Sequence, residues 1–234
     1  MMFFRKQLRY AGSMRRWTLL VLAFLTAAPT CAFAQNSLSG LLYTFPDQYA
    51  EVSKIPSVKL AQNCQNFLWA AEIEFLARQQ DVPLPQTEII DRAYGGVCID
   101  QNIKLEKLKS VVDGDRILDD GTHVRVEMQI TSGAPLSSDD LLSQLSAGRS
   151  FIITWRGHPY VAVSALWDEY VYSPAQRMHK IRELKLLDLA KLADAQTVIF
   201  KPNAEELPQL GGTVQIVCTR LATNPWAPAE PAKW

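Results

Sequence analysis

The sequence predicts an α+β fold, with a helical first half followed by a strand-rich second half. Two patterns carry this expectation. Phe67, Leu68, Ala71, Phe75 and Leu76 recur at three- and four-residue steps, the period of an amphipathic helix, whereas Val124, Val126, Met128 and Ile130 alternate with polar residues, the period of a half-buried strand. Composition agrees with a packed core: 48% of the 234 residues are hydrophobic, with only 11 Gly and 13 Pro, which excludes disordered and collagen-like chains. The 24 basic and 24 acidic side chains exclude a basic nucleic-acid-coating protein.

Helices are predicted over 66–79, ended by Asp81–Pro85, over 87–94, stopped by Gly95 and Gly96, and over 102–112. After the strand at 124–130 comes a capped helix at 138–145 ending near Gly148. Strands are predicted at 151–155, 160–166, 169–172, 197–200 and 214–219, with a helix at 180–192 before the last two. Residues 35–57 read as a lead-in arm, and the Pro-rich stretch 222–234, with Trp226 and Trp234, as a tail. Together these predict a signal peptide at 1–34, the arm, a main domain at 58–221 and the tail.

The signal peptide is read from residue order. All five charges in the first 34 residues are basic (Arg5, Lys6, Arg9, Arg15, Arg16), an apolar run follows over 18–28, and Pro29 precedes the small-residue pattern Ala32-Phe33-Ala34. The run is short of the ~20 residues of a membrane-spanning helix, so cleaved export to the periplasm or medium is expected, with no span left in the mature chain. Removing the segment leaves 19 basic against 24 acidic side chains, so no general attraction to phosphate backbones is expected. Three cysteines remain: Cys64, Cys98 and Cys218. An oxidising compartment permits one disulfide and leaves one thiol over. With no Cys-x-x-Cys pair and three histidines in all, structural zinc is not expected, and no cofactor is implied.

Four places in 55–175, Gln62 with Trp69-Ala70-Ala71, the stretch Asp91–Gly96, Leu145–Arg149 with Phe151–Trp155, and Gly157-His158 with Val161–Val163, together resemble the papain-like cysteine peptidase superfamily, in particular its bacterial secreted, bacteriocin-processing branch. Gln62 followed by Trp69-Ala70-Ala71 is similar to its Gln, nucleophile, Trp-Ala signature at the start of the first long helix. Asp91–Gly96 resembles the stretch closing its helical lobe. Leu145–Arg149 with Phe151–Trp155 resembles the helix, turn and strand leading to the catalytic histidine, and Gly157-His158 with Val161–Val163 resembles the strand that bears it. The resemblance implies a two-lobed fold, with a helical N-terminal lobe and an antiparallel β-rich C-terminal lobe. It also implies chemistry: a thiolate at a helix N-terminus beside a histidine, with an oxyanion hole from a backbone N–H and the Gln side chain.

The position of the nucleophile, six residues after Gln62, holds Leu68, which can neither ionise nor attack. At the position of the residue that orients the histidine, such chains read Asp-Pro, and here stands Ser173-Pro174, so two of the three catalytic roles are expected to be vacant. Cys64 has two readings. It could pair with His158 as an active dyad, Gln62 or Gln65 completing the oxyanion hole, but it lies one helical turn, ~5.4 Å, before Leu68. The resemblance instead implies a disulfide from Cys64 to Cys98, across 34 residues and worth roughly 4 kcal/mol in the chain-entropy model. The expectation is an exported papain-like domain without a nucleophile, a pseudo-peptidase that binds a peptide or protein partner in the cell envelope. The alternative is an active peptidase or amidase using Cys64 and His158.

Other motifs have plainer readings. His123 and His179 are expected at surface or structural positions, and Trp69 and Trp155 in the core. Glu72 and Glu74 lie too close on one helix for a glycosidase pair. Asp113, Asp115, Asp119 and Asp120 lack the spacing of an EF-hand and read as solvated turns. Gly211-Gly212 reads as a turn outside any phosphate-loop context.

Overall fold

A computed structural model describes residues 40–101, 103–132, 138–191, 196–201 and 210–222. The predicted signal segment and all but Ala222 of the predicted tail lie outside the described residues. Within them, four helices and an eight-stranded antiparallel sheet form a mixed α+β domain with more strand than helix. The helices are α1 (Gln65–Gln79), α2 (Gln86–Tyr94), α3 (Leu105–Val112) and α4 (Ser138–Ser146). The strands are β1 (Tyr43–Glu51), β2 (Gly114–Ile117), β3 (His123–Thr131), β4 (Phe151–Trp155), β5 (His158–Ser173), β6 (Gln176–Asp188), β7 (Gln196–Phe200) and β8 (Leu210–Arg220). Their order is β2-β3-β8-β4-β5-β6-β7, with β1 joined to β5.

Helix α1 is buried on nearly every side, including Phe67, Leu68, Trp69, Ile73 and Phe75. Each large apolar side chain fully removed from water there stabilises the fold by about 1.5–3 kcal/mol. The polar residues at the helix end are used as clamps. Gln79 donates to Lys54 O and Ser150 Oγ, both at 3.0 Å, and accepts from Ser150 N at 2.7 Å. Gln80 donates to Ile216 O at 2.7 Å and accepts from Cys218 N at 3.1 Å, so α1 is tied to β8 through a side-chain amide. Helix α2 ends where glycine allows it: Gly95, at φ 59°, donates to Asp91 O and Gly96 to Ile90 O.

Five expectations are corrected. The helix predicted at 180–192 is not formed over 180–191, because 176–188 is strand β6, paired with β5 on one side and β7 on the other. Its apolar residues mimic a helical period because one of the three register shifts against β5 leaves Arg182 as an extra residue in β6, which changes the in/out alternation between Ile181 and Leu184. The two strands read at 160–166 and 169–172 are one continuous strand, β5, which passes through Trp167 and Asp168 without a break. The lead-in arm contains β1, whose alternation is hidden by an irregularity between Phe45 and Gln48, with Asp47 at φ 55°. Part of the acidic stretch read as turns is strand β2, and its carboxylates have partners: Asp113 accepts from Met128 N at 2.6 Å and Asp115 from Arg125 Nε at 2.7 Å.

Gly211 and Gly212, read as a turn, lie in the central strand β8 between β3 and β4. They are glycine because neighbours on both sides fill the space. A Cβ on Gly212 would sit 1.8 Å from Thr131 O, and one on Gly211 would sit 2.0 Å from Thr154 Oγ1. A carbonyl cannot swing aside as a hydroxyl can. Gly212→Ala is therefore expected to lower the urea-unfolding free energy by about 1–3 kcal/mol and Gly211→Ala by less. Equal losses, or none at Gly212, would contradict this packing.

Candidate functional site

The site is built where the start of α1 meets the first residue of β5 and the last of β6. Its approach is fixed by Gln86, which donates to Lys59 O at 2.7 Å and accepts from Ala61 N at 2.9 Å, holding 59–61 against the helical side before Cys64 starts α1. Asn66, fully buried, donates to Val97 O at 2.8 Å and accepts from Ile99 N at 3.0 Å, fastening 97–99 alongside. Cys64 and Cys98 are joined in a disulfide across the same junction.

His158 arrives by a tight hairpin. Trp155 pairs with His158, and the two residues between them, Arg156 and Gly157, have φ of 53° and 76°, the left-handed pair that a two-residue turn between twisted strands requires. Its Nε2 lies 3.1 Å from Oδ1 of Asp188, the last residue of β6, which also accepts from Ala190 N at 3.1 Å. With Asp188 as a carboxylate, the imidazole N–H donates, which orients the ring and leaves Nδ1 as the nitrogen for any proton transfer. The His158 ring meets Tyr160 edge-on at 4.7 Å between centroids.

An open cavity of about 410 Å³ lies between these elements, lined among others by Asn63, Cys64, Gln65, Leu68, Asp100 and His158. The structure thus brings Cys64, Gln65, Leu68 and His158 to one cleft. Gln62 is exposed and is not part of the lining.

Two sequence expectations are decided by this geometry. Ser173, standing where the acid that orients the histidine would stand, predicts that role to be vacant, and the structure corrects this. Ser173 lies at the other end of β5, paired with Gln176 across the next turn, 15 residues and about 50 Å of extended chain from the imidazole. The role is filled by Asp188, which the helix predicted at 180–192 conceals. Its signal was a lone carboxylate in the apolar run Leu186-Leu187-Asp188-Leu189-Ala190. Nor do Cys64 and His158 form an active dyad here, since the Cys64 sulfur is bonded to Cys98 and has no thiol to ionise. The free thiol among the described residues, Cys218, is pushed up to about 11 by burial and is a poor nucleophile at neutral pH.

Below the cleft lies a group that sequence reasoning set aside. Glu72 follows Leu68 by one helical turn on the same face. It is fully buried, and neither carboxyl oxygen has a hydrogen-bond partner. Burial, reinforced by the charge of Asp188, raises its pKa well above 4.5, so it keeps its proton where exposed carboxyls have lost theirs. Glu74 is different: it pairs with Arg78 at 2.5 Å and accepts from Gln86 at 3.0 Å.

Chemically, a histidine held by a carboxylate can take and return a proton, but acyl transfer needs a nucleophile within about 3.2 Å of it. Leu68 supplies none. Compared with known families, curated proteins and solved structures, the chain matches no family model, no curated protein and no solved structure. The residues of the site are therefore read on their own chemistry.

The linkage of Glu72 has a definite sign. The folded state holds its proton above pH 4.5 while the unfolded state releases it, so stability falls as pH rises through the interval between the two pKa values. The slope contributed is at most about 1.4 kcal/mol per pH unit. Urea unfolding of Glu72→Gln, which needs no proton, is expected to lose this slope and to exceed the wild type at about pH 8 but not at about pH 5. An unchanged pH profile would mean that Glu72 is not the titrating group.

Proposed function

We propose that this chain is an exported papain-like domain that has lost its nucleophile and uses the cleft beside His158 to hold peptide-like segments. The observation that carries the reading is the shared cleft of Leu68 and the His158–Asp188 pair: base and orienting carboxylate are in place, and the neighbouring helix turn presents an aliphatic side chain. The order of elements supports it as well, with the long helix first and the histidine on a strand that follows a tight hairpin. In this reading the helices and the antiparallel sheet are the two lobes, and the open cavity between α1 and the β5–β6 edge is the groove. A groove retains its shape without a thiol, so an extended segment can lie against Asn63, Gln65 and Asp100 without being cut. The Cys64–Cys98 disulfide fits an oxidising compartment, in agreement with the signal-peptide expectation.

The test is a peptide library incubated with the purified protein, read by mass spectrometry for cleavage and by anisotropy for binding. Binding without turnover is expected. Turnover abolished by both Cys64→Ser and His158→Ala would overturn the reading. Leu68→Cys should acquire a thiol whose pKa falls below the ordinary ~8.5 through the helix N-terminus and His158, measured from the pH dependence of iodoacetamide labelling. A thiol in Leu68→Cys that labels no faster than free cysteine at neutral pH would show that Leu68 does not face the imidazole.

A further inference from the structure

A second cavity lies about 30 Å along β5 from His158, counted as nine residues of extended chain to Trp167. Helix α4 covers it on one side and the β5–β6 hairpin on the other, and its volume is about 410 Å³, within the range of small-molecule sites. Its apolar floor is Trp167 and Leu142. Around these stand two hydroxyls, Ser143 and Ser146, and three charged or titratable groups, Asp139, Arg177 and His179.

The helix places its contributions together. Asp139, Ser143 and Ser146 follow at four- and three-residue steps, so they share one face of α4. Across the cavity the strand side is set by pairing: Glu169 opposes His179 and Val171 opposes Arg177 in the β5–β6 register. The polar groups are paired before any ligand arrives. His179 Nδ1 lies 2.6 Å from Asp139 Oδ1, and Arg177 Nη1 lies 2.7 Å from Glu169 Oε1.

This matching decides the ligand chemistry. A phosphate or carboxylate would have to compete with Asp139 and Glu169 for the imidazole and guanidinium N–H groups, and an ammonium would have to compete with His179 and Arg177 for the carboxylates. An uncharged ligand with many hydroxyls pays neither cost. It can donate to Asp139 and accept from the guanidinium and imidazole while both pairs persist. Its apolar face can rest on the indole, whose large surface supplies contact at low conformational cost. We propose that the cavity between α4 and the β5–β6 hairpin is a binding site for a neutral sugar, taking one or two pyranose rings with Trp167 as the platform. The site is independent of the cleft at His158.

The experiment uses the purified full chain with cellobiose, N,N′-diacetylchitobiose and maltose, monitored by saturation-transfer NMR and by calorimetry. Penta-alanine and inorganic phosphate are run in parallel. Saturable binding of at least one disaccharide is expected, weakened by at least about tenfold in Trp167→Ala and in Ser143→Phe. The second variant fills the cavity from an exposed helix position, so it separates lost binding from lost folding. His158→Ala is expected to bind sugar like the wild type. The proposal is overturned by absence of saturable binding to all three disaccharides, by binding that survives Ser143→Phe, or by preferential binding of penta-alanine or phosphate in a manner that Ser143→Phe removes.

Discussion

Strand β5 is hydrogen-bonded on both edges for nearly its whole length. One edge pairs with β4 from His158 to Ala162 and with β1 from Ser164 to Val171, while the other pairs with β6 from Val161 to Ser173. A strand clamped in this way can neither slide nor bend at its middle without breaking several ladders at once, because a one-residue slip would turn its buried face to solvent. Both cavities take their positions from it. His158 stands at its first residue, where β6 ends and delivers Asp188, and Trp167 lies in its second half, where α4 crosses. The irregularities in the β5–β6 register are part of the same design, since they bend the long hairpin while its ends stay in register.

The second organising element is α1, a helix enclosed by protein. Burial of its sides leaves little room for water, so its polar residues must be satisfied by side chains. Gln79, Gln80 and, from α2, Gln86 do this by bonding to Ser150 just before β4, to β8 and to the approach segment. Glu72 is the exception, and its cost is met by protonation, because a neutral carboxyl is far less expensive to bury than a charged one. It lies directly beneath Leu68 along the helix. The cleft thus has an aliphatic wall over a buried acid, with the half-buried His158 held at its edge by the buried carboxylate of Asp188.

The local elements were largely legible. The periods of 66–79 and 124–130, the Gly95-Gly96 stop and the break at Gly148 are short-range effects of side-chain spacing and backbone freedom, and α1, α2, α4 and β3 follow them closely. The misread elements are those stabilised from a distance. Residues 176–188 carry Ile181, Leu184 and Leu187 at helical spacing, and only pairing with two other strands makes them extended. In β1, Tyr43, Phe45 and Tyr49 remain exposed, so no buried face marked the strand. For Gly211 and Gly212, a sequence reads two glycines as freedom to turn, whereas here they are the absence of a side chain where two neighbouring strands approach.

Of the site, the sequence by itself determined which chemistry was present: a histidine after a tight Gly turn, an aliphatic residue at the start of the long helix, and cysteines able to pair. These depend on residue type and near neighbours alone. Only the tertiary structure decided that Asp188, 30 residues away, and not Ser173 holds His158. It also decided that Cys64 is spent in a disulfide, that Glu72 is buried without a partner, and that Asp139 and His179 meet across a cavity. The reason is physical: hydrogen-bond geometry and desolvation are set by what the chain brings together across long separations, and a side chain's identity does not reveal what will lie beside it.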